Sequence, residues 1–459
     1  MQLYLKLYRL WSKRPHKLLT PTRTIAVVFL LLILTGALLL TLPAASRDGF
    51  SCGFRPALFT ATSATCVTGL ILYDTWTQWS GFGQVVIICL IQIGGLGFMS
   101  IASLVLFALR RRVGLKQRML IAQALSLNDL EGVVRLQKWV LFGSLLVEST
   151  GALILLIRFW PEYGFLTALK WGVFHSVSAF CNAGFDIFGC ISPGASLITF
   201  QSDPVVLLTL GILVVLGGLG FFVWEEIIRV RSFKKFSVYT KLVLLASGAL
   251  LLTGTIFFCL LEWNNPKTLG PMTWGDKLLN GFFQSVTVRT AGFAAIDQAV
   301  LTDAGKAVSM VLMFVGGSSG STAGGVKTVT LLTLILFLAA RARGRSTVCI
   351  FHRTIPSEKV LDAVTISFIM VVLAVFGGGF ICATSPVSFT DGLYESISAL
   401  ATVGLTAGAT TSLSIPAQFL IILYMYFGRV GVLTISLGFL MGNRAEERLR
   451  YAQTNIFIG

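Results

Sequence analysis

Four short stretches decide how this chain folds: T-C-V-T-G-L at 65–70, F-C-N-A-G-F at 180–185, V-R-T-A-G-F at 288–293 and L-A-T-V-G-L at 400–405. Each is built around one glycine, Gly69, Gly184, Gly292 or Gly404, and these stand 115, 108 and 112 residues apart. A near-constant interval of this size marks four copies of one structural unit. Before each glycine lies a moderately apolar segment, at 56–66, 168–180, 276–288 and 390–401. At about 1.5 Å of rise per residue, none can cross about 30 Å of hydrocarbon. Each therefore reads as a half-length helix leading into a turn.

Longer apolar runs flank these segments, near 25–42, 82–109, 138–160, 204–228, 240–261, 307–340, 362–383 and 416–441. The repeating unit is span, half-helix, glycine turn, span. The expected fold is an all-α polytopic membrane protein with four tandem span–pore-helix–span repeats in pseudo-fourfold arrangement around one pore. The boundaries read as an N-terminal arm (1–24), repeat 1 (25–118), repeat 2 (119–235), repeat 3 (236–345), repeat 4 (346–443) and a C-terminal tail (444–459). Composition agrees: 55% of residues are hydrophobic, 12% are charged and the mean hydropathy is +0.82. An average soluble domain carries about 25% charged residues. That excludes a disordered chain, a disulfide scaffold and an ordinary soluble enzyme. The first apolar run reads as an uncleaved span, because its basic leader and its apolar stretch are both long for a signal peptide. Gly36, Gly143 and Gly248 read as helix-packing glycines.

Charge sets the topology. Clusters at 6–23, 110–138, 229–241, 341–359 and 444–450 hold 26 of the 36 basic residues. They recur on one side, which the positive-inside rule assigns to the cytoplasm. Both termini are then cytoplasmic, and all four turns enter from outside. The outer segments carry eleven acids against eight bases, with Arg289 counted among the bases. A net charge of +16 in a soluble chain would point to nucleic acid. Here the basic residues fall between apolar runs, so no nucleic-acid partner is expected. The eight cysteines are scattered without a C-x-x-C pair, and the three histidines do not cluster, so no transition-metal site is expected.

Irregular backbone at membrane depth is tolerated where it is buried or lines a watery path. Four such turns around one axis make a ring of backbone carbonyls that can replace the water shell of a bare alkali cation. The half-helices end at the turns, so their negative dipole ends favour a cation there. Glycine permits the positive φ or close backbone approach that inward-aimed carbonyls demand.

On these four loops and the span order, the chain resembles the membrane subunit of the Trk/Ktr/HKT superfamily of potassium transporters over nearly its whole length. Without an extra N-terminal pair of spans, it looks closer to the KtrB type than to the longer TrkH type. The resemblance implies potassium uptake across the cytoplasmic membrane, a potassium ion in the filter and no covalent cofactor. Sodium enters as a coupling or activating ion, which makes the reading a symport. It also implies a homodimer with one pore per subunit and a separate cytoplasmic ring of nucleotide-binding regulatory subunits. Carried over by position, the ion-lining residues are Val67, Thr68 and Gly69; Asn182, Ala183 and Gly184; Thr290, Ala291 and Gly292; and Thr402, Val403 and Gly404. Serine at the first filter glycine goes with sodium transport in plant relatives, so Gly69 looks potassium-type. Each loop has one glycine, unlike the T-V-G-Y-G of tetrameric potassium channels, which implies a less constrained upper filter.

The sixth apolar run is interrupted by G-G-S-S-G-S-T-A-G-G at 316–325. Glycine costs about 1 kcal/mol relative to alanine in a helix, so this run is expected to form a polar loop below the filter. The resemblance makes it an intramembrane gate: Gly316, Gly317, Ser318, Ser319, Gly320, Ser321, Thr322, Gly324 and Gly325, with Lys327 and Arg429. A glycine packing seam against a partner is the competing reading. The run G-S-T-A-G-G-V-K-T at 320–328 only mimics a phosphate-binding loop, since Val326 intervenes before Lys327 and no strand precedes it. Arg429, at depth in the eighth apolar run, reads as a cation barrier in the pore. Glu148 reads as paired within the bundle. Glu225 and Glu226 are expected to pair with Arg229 and Arg231, and His175 to be a packing residue.

A secondary transporter of another cation or small solute, built on inverted repeats, is the alternative. It fits less well, since the four units run parallel and enter from one side. A membrane enzyme needs a Ser–His, paired Asp or H-E-x-x-H constellation. None is present, so the chain is not expected to be an enzyme.

Overall fold

The computed structural model describes residues 21–97 and 133–431. The N-terminal arm, the basic cluster after the second apolar run up to 132, and the C-terminal tail lie outside the described residues. Within them, helices dominate. Four are long and apolar enough to cross a membrane: α1 (Pro21–Thr41), α4 (Val133–Tyr163), α8 (Val238–Glu262) and α12 (Ser357–Thr384). These are the odd-numbered spans of the sequence pattern. Their outward faces carry large exposed apolar side chains, among them Leu38, Leu146, Leu252 and Phe368, each more than 60% exposed. Apolar surface on that scale suits contact with lipid tails.

Each long helix packs along the half-helix that follows it. These are α2 (Phe54–Cys66), α5 (Phe165–Phe180), α9 (Trp274–Thr287) and α13 (Phe389–Leu400). Small residues let the backbones approach. A methyl group on Gly172 would meet Ala152 O at 2.6 Å, and one on Gly378 would meet the Leu393 Cα at 2.9 Å. Gly36 belongs to such a seam, 2.6 Å from Leu90 Cδ1 on the same test, whereas Gly143 finds only Trp224 at 3.9 Å. Among the described residues Gly248 finds nothing within 4 Å, so no packing partner for it stands there.

The even-numbered spans differ from expectation. Two are broken helices, and the other two end at a glycine where the described residues also end. Each starts at a capping residue, where Ser80, Asp203, Thr302 or Ser414 accepts backbone amides of the first turn. The second, α3 (Gly81–Leu96), stops at Gly97, whose φ is +81°. The fourth is α6 (Pro204–Leu219) and α7 (Phe221–Val230), bent by 93° about Gly220 at φ +90°. The sixth is α10 (Asp303–Phe314) and α11 (Thr328–Ala342), separated by the glycine-serine run. The eighth, α14 (Ile415–Val430), stops at Gly431, φ +93°. The signal was present as G-G-L-G-F at 94–98, again at 217–221, and G-R-V-G-V at 428–432. Hydropathy hides it, because glycine breaks a helix without making the run polar.

Between the sixth and seventh spans, Val348–Ile350 pairs antiparallel with Arg353–Ile355, with Val348 opposite Ile355. This hairpin departs from the expected all-α fold. It turns on Phe351 and His352, at φ +46° and +61°.

Candidate ion pathway

The four half-helices end at one place. A methyl group on Gly69 would lie 2.5 Å from Ala183 O and 3.3 Å from the Gly184 Cα. One on Gly184 would lie 2.7 Å from Ala291 O and 2.8 Å from the Gly292 Cα. Gly292 faces Val403 O at 2.5 Å and the Gly404 Cα at 3.4 Å by the same measure. Gly404 closes the cycle against Thr68 O, with the Gly69 Cα at 2.8 Å. The order is 69, 184, 292, 404 and back to 69. At each step the nearest atom is the carbonyl oxygen of the residue just before the next glycine.

The backbone explains that direction. Val67, Asn182, Thr290 and Thr402 all have positive φ, between +52° and +68°, and so do the four glycines two residues later, between +70° and +97°. Left-handed backbone at alternate residues lets successive carbonyls turn to the same side. For a β-branched residue such as Val67 this is a strained state that persists only where the surroundings over-determine it. The surroundings are hydrogen bonds to the half-helices. Thr68 N, Ala183 N and Val403 N donate to Ser63 O, Ser178 O and Ser398 O at 2.8, 2.7 and 2.8 Å. The serine hydroxyls add Gly69 N to Ser63 Oγ at 3.0 Å, Gly404 N to Ser398 Oγ at 3.1 Å, and Ser178 Oγ to Phe185 O at 2.7 Å. In the third loop Thr287 takes this part, five residues before its glycine and not six, donating to Phe293 O at 2.6 Å. This hydroxyl, five or six residues before each glycine, is a site feature the sequence reading missed, although it was legible there.

The expected gate lies directly beneath. Its neck is closed by Val315 pairing with Val326, with Gly316 N donating to Val326 O at 2.9 Å. Thr322 Oγ1 donates to Phe180 O at 3.2 Å, which places the loop under the second turn. A methyl on Gly324 would meet Ala401 O at 3.0 Å, so the same loop reaches the fourth turn. Ser318 N donates to Gly218 O at 3.0 Å and Ser318 Oγ to Leu219 O, filling the carbonyls freed by the bend at Gly220. Tyr239 Oη donates to Ser319 O at 3.0 Å. Lys327 Nζ donates to Ala323 O at 2.7 Å, inside the loop, where a phosphate-binding lysine would have to be free.

Arg429 joins three broken elements. Its guanidinium donates to Thr322 O in the loop, and to Gly94 O and Gly95 O at the end of α3, the last at 2.9 Å. Arg429 stands where the G-G-L-G-F runs have their second glycine. It is a hydrogen-bond hub on backbone carbonyls and not a member of an ion pair among the described residues.

Other charged residues follow expectation unevenly. Glu148 accepts from Gln92 Nε2 at 2.9 and 3.1 Å, a partner within the bundle. His175 stacks on Phe188 at 3.8 Å between ring centroids, a packing role. Glu225 pairs with Arg229 at 3.5 Å. Glu226 does not pair with Arg231; it caps α8 through Ser237 N at 2.6 Å. Arg289 is no outer-mouth base, since its Nη2 lies 3.5 Å from Ser247 Oγ and from Thr328 Oγ1, behind the third turn. Several outer charges pair off, including Lys306 with Asp391 at 2.8 Å. Among the described residues, no three His, Cys, Asp or Glu side chains gather as a metal site.

Comparison with known proteins is then decisive. A family model for the TrkH cation transport protein matches residues 4–446. This chain belongs to the TrkH family of cation transport proteins. It is 40% identical to the potassium/sodium uptake protein NtpJ of Enterococcus hirae, over 98% of this chain and 99% of that one. It is 39% identical to the Ktr system potassium uptake protein B of Bacillus subtilis, covering 96% of this chain and 97% of the relative. The crystal structure of the potassium transporter TrkH from Vibrio parahaemolyticus superposes with a TM-score of 0.71 at 17% identity, over 94% of this chain and 87% of that one. Membership in this family makes the chain a transport protein and not an enzyme.

Proposed function

We propose that this chain takes up potassium across the cytoplasmic membrane. The ion sheds its water into the ring formed by the carbonyls of Thr68, Ala183, Ala291 and Val403 and their neighbours. The observation that carries this reading is the closed cycle of carbonyl against glycine around the four turns. Half-helix C-termini on every side add partial negative charge where the cation stands. The hydroxyls of Thr65, Thr68 and Thr402 are buried near the turns without a hydrogen-bond partner among the described residues. Buried hydroxyls left without a partner are costly in a dry wall, and they suit a hydrated ion path.

The loop 316–325 is the gate, and Arg429 is its latch. The loop lies across the axis beneath the ring, and Arg429 holds it through Thr322 O. A fixed positive charge there opposes a passing cation until loop and arginine move aside together. The closeness to potassium uptake proteins supports potassium as cargo, and the name of the Enterococcus hirae relative supports a part for sodium. The names of the Ktr system relatives, each one lettered component of a system, support a partner subunit; in this reading the chain works as a homodimer on a separate cytoplasmic regulatory ring. Both termini lie inside in this reading.

The test is growth of a potassium-uptake-deficient bacterium at low potassium, with the matching regulator supplied. Rescue is expected, and Gly69→Ser should relax potassium-over-sodium selectivity in the same strain. No rescue at normal membrane abundance would favour a carrier of another solute.

A further inference from the structure

Glu395 lies in the half-helix α13, nine residues before Gly404, and is fully buried. At the same offset before the other three ring glycines stand Thr60, His175 and Phe283. The carboxylate accepts from the hydroxyl of Thr410 at 2.8 Å and from that of Thr406. Both belong to the segment that climbs away from Gly404. Thr406 Oγ1 already accepts the amides of Gly408 at 3.0 Å and Thr410 at 3.4 Å, so its own proton is free for Glu395. Two hydroxyl donors from one segment thus converge on the two oxygens of the carboxylate. Thr406 is left only its proton to offer, whereas Thr410 can donate to an ionised carboxylate or accept from a neutral carboxyl. An ionised carboxylate takes both hydroxyl protons at once.

Neighbouring turns are braced at the same height by uncharged groups. In the second, His175 Nε2 accepts from Ile187 N at 3.2 Å, while Nδ1 lies 2.7 Å from Trp171 O. One ring nitrogen accepting and one donating leaves this imidazole neutral. In the third, Gln284 and Gln298 exchange hydrogen bonds of 2.6 and 3.1 Å. Tyr394, beside Glu395, donates to Gln298 Oε1 at 3.1 Å and ties the fourth brace to the third. Of these three braces, only the fourth is built on a carboxyl group.

We propose that Glu395 is a positioning and specificity-determining residue: its carboxylate clips residues 406–410 to the half-helix and sets one negative charge behind the fourth turn alone. The proposal rests on the reading of the carbonyl ring as the ion filter. In a low-dielectric wall a charge acts on a nearby cation more strongly than in water. The filter is then electrostatically lopsided, with its most favourable approach for a cation on the fourth-turn side.

The experiment compares Glu395→Gln, Glu395→Asp and Thr410→Val in the full-length protein, reading potassium KM and the potassium-to-sodium permeability ratio at matched membrane abundance. Glu395→Gln keeps the shape and loses the charge, so the ratio should fall about tenfold, the scale of losing a charge-assisted hydrogen bond. Glu395→Asp should recover most of the ratio, which a purely structural role would not predict from a shortened side chain. Thr410→Val should raise KM severalfold and leave the charge in place. A wild-type ratio and KM in Glu395→Gln overturns the proposal. Should that variant fail to accumulate, wild-type KM in both Thr410→Val and Thr406→Val overturns it instead. Gly404→Ala runs alongside as the check on the filter itself. If it transports normally, the ring reading fails; if it is dead while Glu395→Gln is normal, only the proposal for Glu395 fails.

Discussion

Val67 and Gly404 show how much of this site rests on single backbone angles. Val67 holds φ at +57°, a state that costs on the order of 1–3 kcal/mol for a non-glycine residue, and Ser63 holds it there. Gly404 stands at φ +90°, and any Cβ would run into the Thr68 carbonyl. Gly404→Ala is therefore expected to abolish potassium uptake and to lower the melting temperature in detergent. Gly248→Ala, in open space, should leave both unchanged and serves as the control. Arg429 is a second decisive residue. Its guanidinium ties Thr322 of the loop to the end of α3, so Arg429→Gln should release the latch and raise potassium flux into proteoliposomes several-fold. Wild-type flux in that variant would remove Arg429 from the gate.

At the scale of elements, the bend between α6 and α7 is the hinge on which the loop is hung. Gly220 makes the bend, and a methyl there would approach Ser318 Oγ at 2.6 Å and Ser319 O at 3.0 Å. Trp224 Nε1 bridges the break to Leu216 O at 3.1 Å. Gly220→Ala should therefore shift the loop and not the ring. The expected outcome is an altered flux with an unchanged potassium-to-sodium permeability ratio, read from reversal potentials in mixed salts. A changed ratio with normal flux would place the bend in the filter and not in the gate. The half-helices could be read from the chain because their length and their terminal glycine both appear in the sequence. The broken even spans could not be read from hydropathy. Leu, Val and Phe flank each glycine, and only a left-handed φ decides that the helix stops.

At the scale of the whole molecule, sidedness is the quantity to test. Cys190, between the second turn and α6, and Cys349, in the hairpin after α11, are both exposed thiols. In the proposed orientation they face opposite sides. The Thr354 hydroxyl, 3.4 Å from the sulfur, holds the Cys349 thiol below its ordinary range. Partial burial pushes the Cys190 thiol up. A membrane-impermeant maleimide should label Cys190 in intact cells and Cys349 only in inverted vesicles. At neutral pH Cys349 should react faster, because more of it is thiolate. Labelling of Cys349 from outside would invert the topology and move the basic clusters to the wrong face.

What the linear chain determined was the recurrence and near-constant period of the four glycine turns and the half-helices before them, because hydrophobic run length and a recurring glycine are local properties. It also marked Arg429 and the glycine-serine run, since a charge or a polar run at membrane depth stands out against its neighbours. Only the tertiary structure decided that the four turns meet in cyclic order, that Arg429 binds carbonyls and not an acid, and that Glu395 lies behind one turn alone. Arg289 makes the same point: by position it read as an outer base, and packing turned it inward. These are relations between residues a hundred or more positions apart, and the close approach of backbones that creates them leaves no trace in local composition.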